Sequence, residues 1–154
     1  MLPLSFKEYL SAFPDKKENK DRAFLEYLKN GGMPGNISIL ETNLLGKKAN
    51  SDMGHLLENI VCLELLRRGY KVYVGKVDDY EIDFVAENRD GIKYYQVALS
   101  VRDEKVLERE LRALEKTGDY YPKYLLTLDM DLETDYNGIA KKNVVDWLLS
   151  DSND

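Results

Sequence analysis

Hydrophobic and polar positions change their period several times along the chain, and each change marks an element. Ser5-Phe6-Lys7-Glu8 has the form of a capping box: the Ser5 hydroxyl bonds the backbone of residue 8, and Glu8 reaches back. A short helix is predicted from there to about Phe13, where Pro14 ends it. Between Asn19 and Lys29, Ala23, Phe24, Tyr27 and Leu28 recur at helical spacing. Asn30-Gly31-Gly32-Met33-Pro34-Gly35 stops that helix, and residues 36–50 read as a connector. A third helix is predicted from Ser51 or Asp52 to about Arg68, with Gly69 as its stop. Apolar residues surround much of it, so it should be central and mostly buried.

The period then shortens to two. Tyr70–Val74, Tyr80–Glu87 and Ile92–Ser100 read as strands. Asp78-Asp79 and Asn88-Arg89-Asp90-Gly91 supply turns, which predicts an antiparallel meander. Asp103 caps a helix to about Lys116, with Val106, Leu107, Leu111 and Leu114 facing inward. Tyr124–Leu128 is apolar on both faces, as a buried parallel strand should be. A last short helix, Val144–Leu149, carries Trp147. The order predicts an α/β protein with one mixed central sheet and helices on its faces. Residues 1–50 form a small N-terminal helical segment with its connector, and residues 51–154 form the main domain.

Composition narrows the function classes. The 154 residues suffice for one domain, with or without an appendage. The 28 acidic residues outnumber the 22 basic ones, and the net charge of −6 argues against a passive basic coat for nucleic acid. No apolar run approaches the roughly 18 residues of a membrane span, so no membrane partner is expected. Met1-Leu2-Pro3-Leu4 lacks the features of a signal peptide, and a cytoplasmic location is expected. A single cysteine, Cys62, excludes an intrachain disulfide, and a single histidine, His55, excludes a His-rich metal site.

Three polar residues stand in apolar company. On a regular helix Glu58 neighbours Gly54, Val61, Cys62 and Leu65, none of which is a cation. Burying an unpaired carboxylate is costly, so Glu58 needs a long-range partner, a metal, a wet cleft or a neighbouring loop. Glu64, by contrast, has Arg67 and Arg68 one turn on and is expected in a surface ion pair. Along Tyr80–Ala86, alternation sends Tyr80, Ile82, Phe84 and Ala86 to one face and Glu81, Asp83 and Val85 to the other. Asp83 is then either on a solvated face or at a site. Tyr94, Gln96, Ala98 and Ser100 share a face of the third strand, where Gln96 could take a metal or make a neutral structural bond.

A helix carboxylate, a mid-strand carboxylate and a polar residue on the next strand resemble the PD-(D/E)XK nuclease superfamily, whose core is also α-β-β-β-α-β. The resemblance implies a restriction-endonuclease-like core, with Glu58, Asp83 and Gln96 as catalytic and metal residues and Mg²⁺ as cofactor if the site is intact. Ala98 stands where that family has lysine, and an alanine cannot stabilise a developing phosphorane. Arg102 or Arg109, near the start of the next helix, could substitute for it or simply pair on the helix surface, as Glu108 with Arg112 could, whereas Lys93 alternates to the wrong face. A closer likeness runs through Asp52–Val61, Glu81–Val85, Tyr95–Ala98, Glu108–Leu111 and Tyr121-Pro122-Lys123. These segments, with Leu2–Tyr9 and Gly31–Pro34, resemble the C-terminal nuclease-like domain of the predicted bacterial AAA-type ATPase family.

The resemblance implies an ATPase partner module, but the chain has no G-x-x-x-x-G-K-[ST] and is not expected to hydrolyse ATP itself. About 17 residues separate Pro34 from Asp52, fewer than in that family, so the chain resembles a truncated paralogue or a fragment with an internal deletion. The expected function is a catalytically degenerate domain that recognises DNA or protein, with an ATPase supplied in trans as a further partner. The alternatives are an active Mg²⁺-dependent nuclease with a displaced cation, and a structural or oligomerisation remnant. Lys47, Lys48, Lys93 and Lys123 are candidates for a basic rim, and Tyr94, Tyr95, Tyr120 and Tyr121 for base stacking.

Overall fold

A computed structural model of the chain describes residues 3–30 and 47–151, with side chains placed at 3–29 and 52–151. The Gly31–Gly35 stop, the basic side chains of Lys47 and Lys48, and most of the 36–50 connector lie outside the described residues. Helix α1 spans Phe6–Ala12, and the capping box is formed: Glu8 N–H donates to Ser5 Oγ at 3.1 Å, and Ser5 N–H to Glu8 Oε2 at 2.7 Å. A 3₁₀ turn over Pro14–Asn19 leads into α2, Lys20–Asn30. Helix α3 spans Lys47–Arg67, so it starts before the predicted caps at Ser51 and Asp52. Nothing in Lys47–Asn50 breaks a helix, and a local capping signal yields when the chain upstream is helical.

Strands β1 (Lys71–Val77), β2 (Tyr80–Asn88) and β3 (Gly91–Ala98) form the predicted antiparallel meander. The turn after β1 holds Asp78 at φ 54°. Helix α4, Glu104–Glu115, is capped by Asp103, whose carboxylate accepts from the Lys105 and Val106 backbone. It crosses to β4, Lys123–Thr127, which lies parallel to β3 as expected.

Two strands were not foreseen. β5 (Thr134–Tyr136) and β6 (Ile139–Asn143) form a hairpin, and β6 pairs parallel with β4. Their pattern is weak because β5 is exposed and β6 carries Lys141 and Lys142. The turn between them was legible: Asn137-Gly138 is a strong hairpin dipeptide, and both residues take positive φ, 53° and 88°. Helix α5 spans Val144–Leu149.

The result is an α/β protein with a six-stranded mixed sheet in the order β1-β2-β3-β4-β6-β5. One face carries Phe84, Ala86, Tyr95, Val97 and Leu126 against α3 and α5. The other carries Ile82, Leu125 and Ile139 against Leu114 of α4. The N-terminal helices join the first core: Phe6, Leu10, Phe24 and Tyr27 cluster with Leu57, Val61, Trp147 and Leu148. Tyr27 Oη donates to the Leu4 carbonyl at 2.5 Å, and Arg67 bonds the Pro3 carbonyl. Among the described residues, no helix is long and apolar enough to cross a membrane.

Candidate functional site

Strand β2 is bulged at the position of Asp83. Tyr73 pairs with Val85 and Gly75 with Ile82, so Asp83 and Phe84 together oppose the single residue Val74. This corrects the expected alternation. The extra residue moves Ile82 onto the α4 side with Val85, while Phe84 and Ala86 face the α3 side. Gly75 accommodates the irregularity. A Cβ there would stand 2.8 Å from Val85 Cγ2, closer than such carbons approach, and 3.0 Å from Ile82 Cβ, tighter than most.

The bulge opens onto a cleft of about 750 Å³ between α3, α4 and the β1–β3 strands. The three residues proposed from sequence all line it: Glu58 from α3, Asp83 from β2 and Gln96 from β3. Ala98 lines it too, along with Lys76, Asp79, Glu81, Arg109 and Glu110. Gln96 is 6% exposed and sits at the centre of a polar web. Its Oε1 accepts the Asp83 N–H at 3.2 Å. Its Nε2 donates to Glu110 Oε2 at 2.8 Å and to the Glu81 carbonyl at 3.4 Å. Asp83 Oδ2 in turn accepts the Val97 N–H at 2.7 Å.

Burial raises the Asp83 pKa, and the nearby carboxylates Glu58, Glu110 and Glu81 raise it further. The Val97 hydrogen bond opposes them, and the net result is a value of about 7. A carboxylate of this kind can exchange a proton near neutrality.

The set implied for a metal is two carboxylates, Glu58 and Asp83, and the Gln96 amide, and all three line the cleft. Among the described residues, no three His, Cys, Asp or Glu side chains form a group that could hold a metal ion. The amide oxygen of Gln96, the third expected ligand, accepts the Asp83 N–H at 3.2 Å. That contact is a neutral structural bond between β2 and β3.

Glu110 and Lys76 were missed from sequence. Glu110 lies three residues from Leu107 and four from Val106 and Leu114, so helical spacing put it on the inward face; it is 6% exposed. Lys76 lies beyond the predicted end of β1. Of the two candidate substitute cations, Arg109 lines the cleft, and its Nη2 lies 2.7 Å from Glu110 Oε1. Arg102 instead reaches Asp129 at 3.6 Å and Asp131 at 3.7 Å.

Other expectations are displaced. Glu64 is not at the surface: it is 9% exposed and pairs with Arg68 at 3.0 Å and Arg67 at 3.5 Å. Trp147 packs over Arg68, which covers the pair. Lys93 and Lys123 do not line the cleft: Lys123 pairs with Asp119 at 2.9 Å and Lys93 lies over the Tyr70 ring. Tyr95 is buried and Tyr94 donates to Asp119, whereas Tyr120 and Tyr121 are exposed. His55 is exposed, with Nδ1 3.7 Å from Glu58 Oε2.

The chain is 44% identical over 110 residues to an uncharacterised protein of Haemophilus influenzae. That match takes in 71% of this chain and 26% of the relative, so the chain spans about a quarter of the relative's length. No protein-family model matches the chain. No solved structure matches it.

Proposed function

We propose that the chain carries a PD-(D/E)XK-type domain of the kind found in AAA-type ATPase proteins, and that its cleft recognises a protein partner instead of cutting DNA. The observation that carries this reading is the state of Gln96. Its amide bonds Asp83, Glu81 and Glu110 and so ties β2 to β3 and α4, and the neighbouring position that should present a lysine is Ala98. The centre is built as a fixed acidic surface. The α3-β1-β2-β3-α4-β4 order supports the restriction-endonuclease-like core. The relative's greater length leaves room for a further module such as an ATPase.

Charge selects the partner class. Glu58, Asp79, Glu81, Asp83 and Glu110 line the cleft against Lys76 and Arg109. Phosphates would meet a net negative wall, and DNA affinity rests on cations that neutralise phosphates. A lysine or arginine from a protein partner meets complementary charge and partly desolvated carboxylates.

Two assays on the purified chain test this. Supercoiled plasmid incubated with Mg²⁺ or Mn²⁺ should remain uncut. Nicking that requires the metal and vanishes in Asp83→Ala would restore the nuclease reading. A fluorescent arginine-rich peptide should bind in EDTA, more weakly in Asp83→Asn, and better than a labelled DNA duplex at the same salt. The reverse preference would make the cleft a DNA site.

A further inference from the structure

Glu110 is the least exposed carboxylate lining the cleft, at 6%, and its two oxygens have different partners. Oε2 accepts from the buried Gln96 amide at 2.8 Å. Oε1 accepts from Arg109, from Nε at 3.1 Å and Nη2 at 2.7 Å. The first partner is fixed, because Gln96 is itself held by Asp83 N–H and the Glu81 carbonyl. The second is not fixed. The Arg109 side chain is 69% exposed while that of Glu110 is 8% exposed. Successive helix residues do not face one another, so Arg109 must fold back over the helix to make this contact.

A guanidinium anchored only at its tip, over a carboxylate that is otherwise buried, occupies the place an incoming cation would take. Resting on the reading of the cleft as a site for a cationic partner segment, we propose that Glu110 is its inner binding carboxylate and Gln96 the residue that positions it. Arg109 is an internal competitor that the partner's arginine or lysine displaces. The swap exchanges one charge-assisted hydrogen-bond pair for another, so the buried carboxylate is never left unpaired.

The test measures binding of a fluorescein-labelled nona-arginine peptide to the full chain by polarisation in EDTA. Arg109→Met keeps the aliphatic stem and removes the competitor, and it should tighten binding about tenfold. Glu110→Gln keeps the shape and should weaken binding about tenfold. In that background Arg109→Met should have little further effect, since competition requires the carboxylate. Gln96→Ala should weaken binding while Glu108→Gln, which removes the same charge outside the cleft, should match the wild type.

If the peptide binds the wild type but Arg109→Met leaves affinity unchanged or lowers it, the competitor role is overturned while the acidic cleft stands. If Glu110→Gln and Glu108→Gln act alike, attraction is diffuse and the inner-carboxylate role fails. If neither wild type nor Arg109→Met binds, the underlying reading of the cleft fails together with the inference.

Discussion

The Asp83 carboxylate accepts the Val97 backbone N–H at 2.7 Å and so fastens the bulge of β2 to β3 at the floor of an acidic cleft. A group placed mid-strand by sequence thus serves two roles. It closes a gap in the sheet's hydrogen bonding, and it adds a carboxyl group to the acidic end of the sheet.

This arrangement makes stability depend on pH. Burial and neighbouring carboxylates raise Asp83 from 3.8 to about 7 in the folded protein. A raised carboxylate pKa means the folded state holds the proton more tightly than the unfolded chain does. Its contribution is complete below about pH 4 and is lost as pH rises through 7. Asp83→Asn should remove that loss and stabilise the protein at pH 8 relative to pH 5 by about 1–2 kcal/mol. Urea unfolding at the two pH values measures it. An unchanged pH profile would show that Asp83 titrates normally.

Gly75 is predicted to tolerate no side chain. The alanine Cβ would press on the Ile82 Cβ, a branch point that cannot swing away. Gly75→Ala should cost about 1–3 kcal/mol by overpacking. Val85→Ala removes the closer of the two contacts, and in the double variant part of the loss should return. Chemical denaturation of the four-member cycle gives the coupling.

Glu64 should be worth more than a surface ion pair. Its carboxylate lies beneath Arg67 and Arg68, and Arg68 also bonds the Trp147 carbonyl at 2.8 Å. Glu64→Ala leaves two partly buried guanidinium groups without it and should cost about 3 kcal/mol, against less than about 1 kcal/mol for an exposed pair. Because the contact is sheltered, the loss should change little between low and high salt when read by urea unfolding.

The N-terminal helices should unfold with the sheet. Phe24 is 1% exposed and lies 5.0 Å, centroid to centroid, from Phe6. Both belong to the core that includes Tyr95 and Trp147. Phe24→Ala should cost about 3–5 kcal/mol. A single transition, seen alike by far-UV circular dichroism and Trp147 fluorescence, is the expected outcome. Separate transitions would assign the first helices an independent stability.

Much of the local structure could be read directly. The Ser5–Glu8 box, the Asp103 cap and the two hairpins of β1–β3 are set by groups within a few residues of one another. Their hydrogen bonds require no distant partner. The β5–β6 hairpin was equally local, but its charged strands obscured an unambiguous Asn137-Gly138 turn. The candidate site was legible as a set of residue types, and the fold gathers Glu58, Asp83 and Gln96 around one cleft.

Sequence by itself therefore determined the helices, the first four strands, their order and which polar residues needed an explanation. Tertiary structure decided what those residues do. The bulge that sets the faces of Ile82 and Asp83 exists because β1 pairs with β2 in a shifted register, with Gly75 leaving the room. Glu64 is buried because α5 brings Trp147 over Arg68, and Gln96 is locked because α4 brings Glu110 within 2.8 Å. Each depends on contacts between segments far apart in the chain, and periodicity within one segment carries no information about which neighbour will cover it.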